Sequence, residues 1–268
     1  MTDVPILSVK DLQKSFGAVT AAKDINVDIP AGQVVGVIGA NGAGKTTFVN
    51  MVTGYLKPSG GTIRFRGRDI TGIAPRLAVH QGLTRSFQVS QVFMTLSVRQ
   101  NLLSALALAR RKGGALLRPI AGPELLAECD AIMARYGLTD VAEHEASALS
   151  QGSRKLLDIA MAVVSGPRML LLDEPTSGVA AEEKFAIMDT VMSALKASGT
   201  TVLFIEHDME IVERYVDRVL AFFSGEVICD APPARALIDP KVRELVIGDT
   251  RAPTAPTAAT GQAEAAYA

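Results

Sequence analysis

The sequence predicts an α/β fold in which a buried parallel sheet alternates with helices. Three runs, at residues 33–40, 168–174 and 200–208, are nearly continuous in apolar side chains, which is typical of strands covered on both faces. Between the second and third runs, residues 185–195 carry apolar side chains at helical spacing. Strand, helix and strand in this order predict two parallel strands joined by a right-handed crossover.

Two other blocks of the chain depart from this pattern. The first 30 residues contain two strands with alternating apolar side chains, and residues 61–70 form a further pair that turns at Gly67. Both predict an antiparallel β-subdomain. From about Val98 to Val164 the apolar spacing is mainly helical, so we expect an inserted α-helical subdomain at about residues 89–165.

The length of the chain is compatible with one domain followed by a tail. Residues 1–250 suit a single α/β domain, because such domains reach about 250 residues. Residues 251–268 consist mostly of Ala, Thr and Pro with little to bury, so they predict a disordered tail.

Composition argues against several functional classes. Hydrophobic residues make up 48% of the chain, and 27 Lys and Arg residues against 28 Asp and Glu residues give a formal charge of -1. A chain so nearly neutral does not predict bulk nucleic-acid binding. Cys129 and Cys229 lack metal-ligand spacing, which fits a reducing cytosol. No secretory signal and no run of roughly 18 apolar residues is present, so we expect neither a secreted nor an integral membrane protein.

A phosphate-binding loop follows the first buried strand. Residues 39–46, GANGAGKT, match the pattern of Gly, four residues, Gly, Lys and Ser or Thr. Glycines let backbone N–H groups converge on anionic oxygens, and the following helix adds its positive N-terminal dipole. The alternative is a glycine-rich turn with an exposed lysine. The motif predicts a P-loop NTPase core that binds ATP and Mg²⁺, with nucleotide contacts from Gly39, Asn41, Gly42, Ala43, Gly44, Lys45, Thr46 and Thr47.

Two acidic residues end the second buried strand. Asp173 and Glu174 stand where a parallel strand reaches the carboxyl edge of its sheet, which is where ligands of open α/β sheets bind. Asp173 is then placed to hold Mg²⁺ together with Thr46, and Glu174 to orient or deprotonate the attacking water. The alternative is a solvated acidic turn after a core strand. The phosphate loop in the same chain favours the catalytic interpretation.

Between these motifs lies a segment that identifies a family resemblance. Leu149-Ser150-Gln151-Gly152-Ser153 opens a predicted helix and resembles the signature of ABC-type ATPases, usually Leu-Ser-Gly-Gly-Gln. The order of phosphate loop, signature and acidic strand end is also the order of that family. The resemblance covers about residues 5–248. It implies a head-to-tail homodimer, or a heterodimer with a sister ATPase, in which Ser150 and Gly152 contact the ATP bound by the other subunit.

Three more positions match the family's pattern. The resemblance implies that Phe16 stacks on adenine, although a core phenylalanine at a strand end is the alternative. It implies that Gln88 belongs to the glutamine loop and contacts Mg²⁺ or water. It places His207 as the switch histidine, which contacts the γ-phosphate.

Three positions differ from the usual pattern of the family. Gln151 and Ser153 replace a glycine and a glutamine of the commonest signature. Ala180 stands where most members carry an aspartate that helps to couple the two sites of the dimer. The resemblance therefore implies that the contact across the dimer and the communication between its sites are altered in this protein.

Subfamily features point to a transporter. Residues 82–103, the LFIEHDM segment and the terminal DPKVREL look like the ATPases that energise bacterial import of branched-chain amino acids and related solutes. This implies membrane-spanning permease subunits that dock near residues 88–96, a solute-binding protein as an indirect partner, and a peripheral location on the cytoplasmic face of the membrane. The alternatives are a soluble ABC ATPase of repair or translation, a lipopolysaccharide-export ATPase, and a small-metabolite kinase.

Overall fold

The computed structural model describes residues 4–86, 92–110 and 122–248. Its strands are β1 (Leu7–Phe16), β2 (Val19–Ile29), β3 (Val34–Gly39), β4 (Gly60–Phe65), β5 (Arg68–Asp69), β6 (Leu83–Ser86), β7 (Met169–Asp173), β8 (Thr201–Ile205), β9 (Arg218–Phe223) and β10 (Glu226–Ala231). Its helices are α1 (Lys45–Val52), α2 (Pro75–His80), α3 (Val98–Arg110), α4 (Pro123–Arg135), α5 (Gln151–Val163), α6 (Lys184–Ala197), α7 (Met209–Tyr215), α8 (Pro233–Ala236) and α9 (Pro240–Val242).

The central sheet has six strands in the order β10-β9-β3-β8-β7-β6. The three strands predicted from apolar runs, β3, β7 and β8, occupy its middle, and their pairings are parallel as predicted. Strands β6, β9 and β10 were not predicted. Strand β6 has only four residues, which is too short to establish a period in the sequence.

Burial explains why β3 is apolar along its whole length. Val34 and Ile38 belong to the hydrophobic cluster on the side of helices α3–α7, whereas Val35 and Val37 belong to the cluster shared with the antiparallel strands and α1. Successive side chains of a strand point to opposite faces, so both faces of β3 are covered. The strand therefore ends at the phosphate loop as a rigid support.

The predicted β-subdomain is a four-stranded sheet in the order β2-β1-β4-β5 with antiparallel pairings. Leu7, Val9 and Leu12 of β1 are fully buried against the central sheet's cluster. The turn predicted at Gly67 joins β4 to β5. The sequence prediction of an antiparallel β-layer is confirmed.

The predicted helical block between β6 and β7 is also confirmed. Helices α3, α4 and α5 bury side chains such as Leu102, Met133 and Leu157 in one cluster. Among the described residues, no helix combines the length and the apolar character needed to cross a bilayer. Gln88 and the predicted tail at residues 251–268 lie outside the described residues.

The end of α1 makes a close backbone contact that tests the packing of this core. Gly54 follows α1 with φ +81°, and a Cβ there would lie 2.1 Å from the carbonyl oxygen of Ile73. We expect Gly54→Ala to lower the free energy of unfolding by about 3 kcal/mol, from left-handed backbone strain plus forced displacement of the neighbouring chain. Urea denaturation measures the loss.

Gly199→Ala is the matched control for this prediction. Gly199 has φ +65°, and a Cβ there would meet nothing within 4 Å. Its substitution carries the backbone strain alone, which costs about 1 kcal/mol. Equal losses in the two variants would contradict the close contact at Gly54.

Candidate active site

The phosphate loop is held on two sides by other parts of the fold. Gly44 caps α1 with φ +104°, and a Cβ at this position would lie 2.7 Å from the carbonyl oxygen of Ala21 in β2. The turn between β9 and β10 contributes the N–H of Gly225, which donates to the carbonyl oxygen of Ala43 at 2.9 Å. Only a residue without a side chain fits at Gly44.

Lys45 is buried at the base of this loop. Its Nζ donates to the carbonyl oxygens of Gly39 at 2.6 Å and Ala40 at 3.0 Å, and the residue is 6% exposed. Burial lowers the pKa of Lys45, while the carboxylates of Glu174 and Asp173 oppose that shift. The alternative of an exposed lysine on a glycine-rich turn is therefore wrong.

Asp173 ends β7 in a buried ion pair. Its carboxylate lies 2.5 Å from the guanidinium of Arg85, and the two side chains are 12% and 8% exposed. Arg85 also donates to the side-chain oxygen of Asn50 in α1 at 2.6 Å. Arg85 was not identified from the sequence. The only indication in the sequence was that a charged residue stands in a stretch that is otherwise buried. The ion pair fixes Asp173 at the edge of the sheet next to α1.

Glu174 adopts a left-handed backbone conformation and faces His207. Its φ is +47°, and its carboxylate lies 3.1 Å from Nε2 of His207. A non-glycine residue at positive φ is uncommon and signals a local constraint. The turn after β7 therefore aims this carboxylate at His207, in the segment that follows β8.

Glu206 supplies a second link between the same two strand ends, and sequence reasoning also missed it. The residue is 4% exposed, and its carboxylate accepts from the hydroxyl of Thr176 at 2.6 Å and from the N–H of His207 at 3.0 Å. The only indication of its role in the sequence was that an acidic residue directly follows the apolar part of the LFIEHD segment. Buried carboxylates that accept several hydrogen bonds hold neighbouring segments in place.

Most of the predicted catalytic and nucleotide-binding residues meet in one cavity of about 180 Å³. The cavity is lined by Asn41, Gly42, Ala43, Gly44, Lys45, Thr46, Thr47, Asp173, Glu174, Ile205 and His207. A cation, backbone N–H groups at the start of a helix and two carboxylates suit a phosphate chain beside an activated water. Phe16, Gly39, Ser150 and Gly152 do not line this cavity. Gln88 lies outside the described residues.

Ser150 is the N-cap of α5, at the helix start that the sequence predicted. Its hydroxyl accepts from the N–H of Ser153 at 3.1 Å. Gly152 faces inward, since a Cβ there would lie 2.5 Å from Cδ1 of Ile187 in α6. The helix therefore packs closely on α6 while its first residues, Ser150 and Gln151, remain exposed.

A buried polar cluster joins this helix to the central sheet. The hydroxyl of Ser86, at the end of β6, donates to the carboxylate of Asp158 in α5 at 3.2 Å. Lys155, one turn earlier in α5, is 4% exposed, and its burial lowers its pKa against the opposing effect of Asp158. The middle of α5 is thus connected to the strand that leads towards Gln88.

Phe16 is 51% exposed at the end of β1, so the core alternative for this residue is wrong. The ammonium of Lys14 lies 5.0 Å from the centre of its ring. An exposed aromatic ring is available for stacking. Its contact with adenine stays a prediction.

Comparison with known sequences agrees with the geometry of the site. The profile of a family described as ABC transporter matches residues 22–177. LivG of Escherichia coli K12, a high-affinity branched-chain amino acid transport ATP-binding protein, is 33% identical over 251 residues, which are 91% of this chain and 98% of LivG. BraF of Pseudomonas aeruginosa, described in the same terms, is 31% identical over 253 residues, with 91% and 98% covered.

Solved structures show the same fold. An ATP-binding cassette of an ABC transporter in its ADP conformation has a TM-score of 0.79 at 32% identity, with 91% of this chain and 99% of that chain covered. CbiO1 of Clostridium perfringens, part of an ABC transporter complex, has a TM-score of 0.77 at 28% identity, with 90% and 93% covered.

The buried pair between Arg85 and Asp173 gives a testable prediction. Arg85→Met leaves a buried carboxylate without its guanidinium, so we expect the free energy of unfolding to fall by about 3 kcal/mol. Urea denaturation measures this loss. Arg85→Met combined with Asp173→Asn removes both charges and should recover part of the stability. If the double variant is less stable by the full sum of the two single losses, the pair is not coupled.

Proposed function

Because the chain belongs to the ABC transporter family, we propose that it is the nucleotide-binding subunit of a bacterial importer of branched-chain amino acids or related small solutes. The chain is an ATP-hydrolysing ABC transporter subunit homologous to LivG and BraF. The import direction and the cargo are proposed from those relatives. A peripheral position on the cytoplasmic face of the membrane, beside permease subunits, follows from the same proposal.

The observation that carries the proposal is the convergence of three elements on one cavity. The phosphate loop brings Lys45, the end of β7 brings Glu174, and the segment after β8 brings His207. In the proposed mechanism the loop N–H groups and Lys45 bind the β- and γ-phosphates. Glu174 orients the attacking water and accepts its proton, while His207 holds Glu174 in place and contacts the γ-phosphate.

The residues of the cavity fit a magnesium ion that shares its ligands with the nucleotide. Thr46 and Asp173 both line the cavity, and no group of three or more His, Cys, Asp or Glu side chains among the described residues could hold a metal by itself. Mg²⁺ is commonly bound by one or two carboxylates together with substrate phosphates. When bound, the ion would neutralise charge on the phosphate oxygens. Gln88 is proposed as a further contact.

The exposed start of α5 supports a composite site in a dimer. Ser150 and Gln151 face solvent and lie outside the cavity of their own chain. An exposed helix N-terminus attracts phosphate oxygens, since its backbone N–H groups are free to donate. We therefore expect Ser150 to complete the ATP site of a second subunit, either a copy of this chain or a sister ATPase. Gly152 is buried against Ile187 of its own chain, so its proposed contact with that ATP is limited to its backbone.

The segment after Gln91 supports docking of a permease. Phe93 is 58% exposed and Met94 is 40% exposed, so these two side chains are not packed in the core. The backbone of this segment is nevertheless held firmly, because the buried amide of Asn101 accepts from the N–H of Phe93 at 2.8 Å and donates to the carbonyl oxygens of Phe93 and Leu96 at 3.0 and 3.2 Å. Apolar side chains on a fixed backbone suit a protein interface.

Copurification tests the transporter function. The chain is expressed with the membrane proteins encoded beside it, and we expect a detergent-stable complex. Phe93→Asp with Met94→Asp should abolish the association, whereas Ile238→Asp, at a residue 63% exposed elsewhere on the surface, should not. Failure of the unmodified chain to associate with any of these membrane proteins would contradict the proposal.

Glu174→Gln tests the assignment of the catalytic base. The substitution keeps the shape of the side chain but removes most of its basicity, so turnover should fall by about 10² to 10⁴ while ATP binding survives. Slow hydrolysis should also trap an ATP-dependent dimer. Phosphate release and size-exclusion chromatography with and without ATP measure the two effects.

Glu182→Gln serves as the control, because it removes an exposed carboxylate outside the cavity. Normal hydrolysis by Glu174→Gln would remove Glu174 from the mechanism. An inactive variant that stays monomeric at high protein and ATP concentrations would show that the signature does not by itself hold the dimer together.

A further inference from the structure

Positive charge is concentrated in one part of this nearly neutral chain. Residues 29–123 hold 12 of the 27 Lys and Arg residues but only one of the 28 Asp and Glu residues, which is Asp69. The chain therefore contains a strongly basic segment although its net charge is close to zero. Such asymmetry indicates interaction with an anionic partner more directly than net charge does.

Part of this charge gathers on a surface that we call the basic patch. It comprises the exposed side chains of Arg66, Arg68, Arg76 and His80, with the exposed apolar residues Leu77 and Val79 among them. The β4–β5 hairpin contributes Arg66 in its turn and Arg68 in β5, and α2 contributes the other four residues.

The basic patch is concave. The hairpin and α2 face each other across a cavity of about 470 Å³, which is lined by Arg66, Arg68, Ile73, Leu77, His80 and Gln81. Cations that line a concavity reinforce one another's potential and focus it on a bound anion.

The arginines of the patch differ from many other surface cations in that they form no ion pair with a described residue. Within the described residues, Arg66, Arg68 and Arg76 have no carboxylate at ion-pairing distance. Lys23, by contrast, pairs with Glu226 at 2.5 Å, and Arg214 pairs with Asp189 at 2.9 Å. The charge of the patch is thus available to an external partner.

The patch and the phosphate loop lie at opposite ends of α1. Gly54, at the end of α1, packs against the backbone of Ile73 in the patch cavity, whereas the phosphate loop adjoins the other end of α1. An eight-residue helix is about 12 Å long. The arginines are therefore not needed to bind ATP.

We infer that the basic patch binds the headgroup surface of anionic phospholipids. Guanidinium groups donate to phosphate oxygens in a fixed bidentate geometry, and Leu77 and Val79, 47% and 43% exposed, can enter the interfacial region beside them. The patch contains no Phe, Tyr or Trp side chain to provide a large stacking platform for nucleic-acid bases, and its exposed apolar residues are aliphatic, so lipid is favoured over nucleic acid. This contact rests on the proposed membrane-associated function but needs no permease.

Cosedimentation with vesicles tests the inference. Purified full-length chain is mixed with vesicles of phosphatidylcholine alone, or of equal parts phosphatidylcholine and phosphatidylglycerol. We expect binding to the anionic vesicles that weakens as salt is raised. The triple variant Arg66→Asn, Arg68→Gln and Arg76→Gln should lower the partition coefficient by about a hundredfold, at about fivefold for each cation at an anionic surface.

A second triple variant controls for net charge. Lys196→Gln, Arg235→Gln and Lys241→Gln remove three exposed cations outside the patch and should leave vesicle binding nearly unchanged. Both triple variants should keep the ATPase activity of the isolated subunit, which also reports that they fold. Because the vesicles contain no permease, failure of permease docking and failure of lipid binding are separate results.

Three outcomes would overturn the inference. The first is equal binding to neutral and anionic vesicles, and the second is equal loss in the two triple variants. The third is displacement of the chain from the anionic vesicles by inorganic phosphate or by random-sequence duplex DNA at the same ionic strength, since that would indicate a free-anion site or a nucleic-acid surface.

Discussion

The active site depends on the contact that holds the phosphate loop against the rest of the molecule. Gly44 lies so close to the backbone of Ala21 in β2 that no side chain fits between them. On the other side of the loop, the N–H of Gly225, in the turn between β9 and β10, donates a hydrogen bond to the carbonyl oxygen of Ala43. The antiparallel subdomain and the β9–β10 turn of the central sheet thus fix the loop from two sides. A preorganised loop loses little conformational freedom when phosphate binds. Lys45 is held in the same way, by two carbonyl oxygens of the loop itself.

The acids at the carboxyl edge of the sheet have distinct environments. Asp173 is paired with Arg85 in a buried contact, Glu174 faces His207 at a partly exposed position, and Glu206 is enclosed by hydrogen-bond donors from both strand ends. A carboxylate that must accept a proton has to reach water, whereas one that positions other groups is better shielded from it. The different environments therefore agree with a base at Glu174 and supporting roles for its two neighbours.

The helical subdomain is connected to the sheet by more than apolar packing. Ser86 at the end of β6 is hydrogen-bonded to Asp158 in α5, and the same helix begins at the exposed signature segment. Buried polar contacts of this kind specify one arrangement of the packed elements, because a shift would leave their donors and acceptors unsatisfied. Helix α5 is thus held against the strand that precedes Gln88, and the segment with Phe93 and Met94 follows this strand in the sequence.

The sequence by itself determined the local chemistry of this protein. Three features depend only on neighbours in the chain, so the sequence alone predicted them. They are the apolar runs of β3, β7 and β8, the phosphate loop, and the helix start at Ser150. Only the tertiary structure decided which residues distant in the sequence contact each other. Arg85 meets Asp173 and Glu206 meets Thr176 across 88 and 30 residues, and β9 joins β3 although no local pattern marked that pairing. The sequence also gave no indication that Arg66 and His80 line the same cavity. Contacts between residues distant in sequence are set by how sheets and helices pack, and hydrophobic periodicity describes only which face of each element is buried.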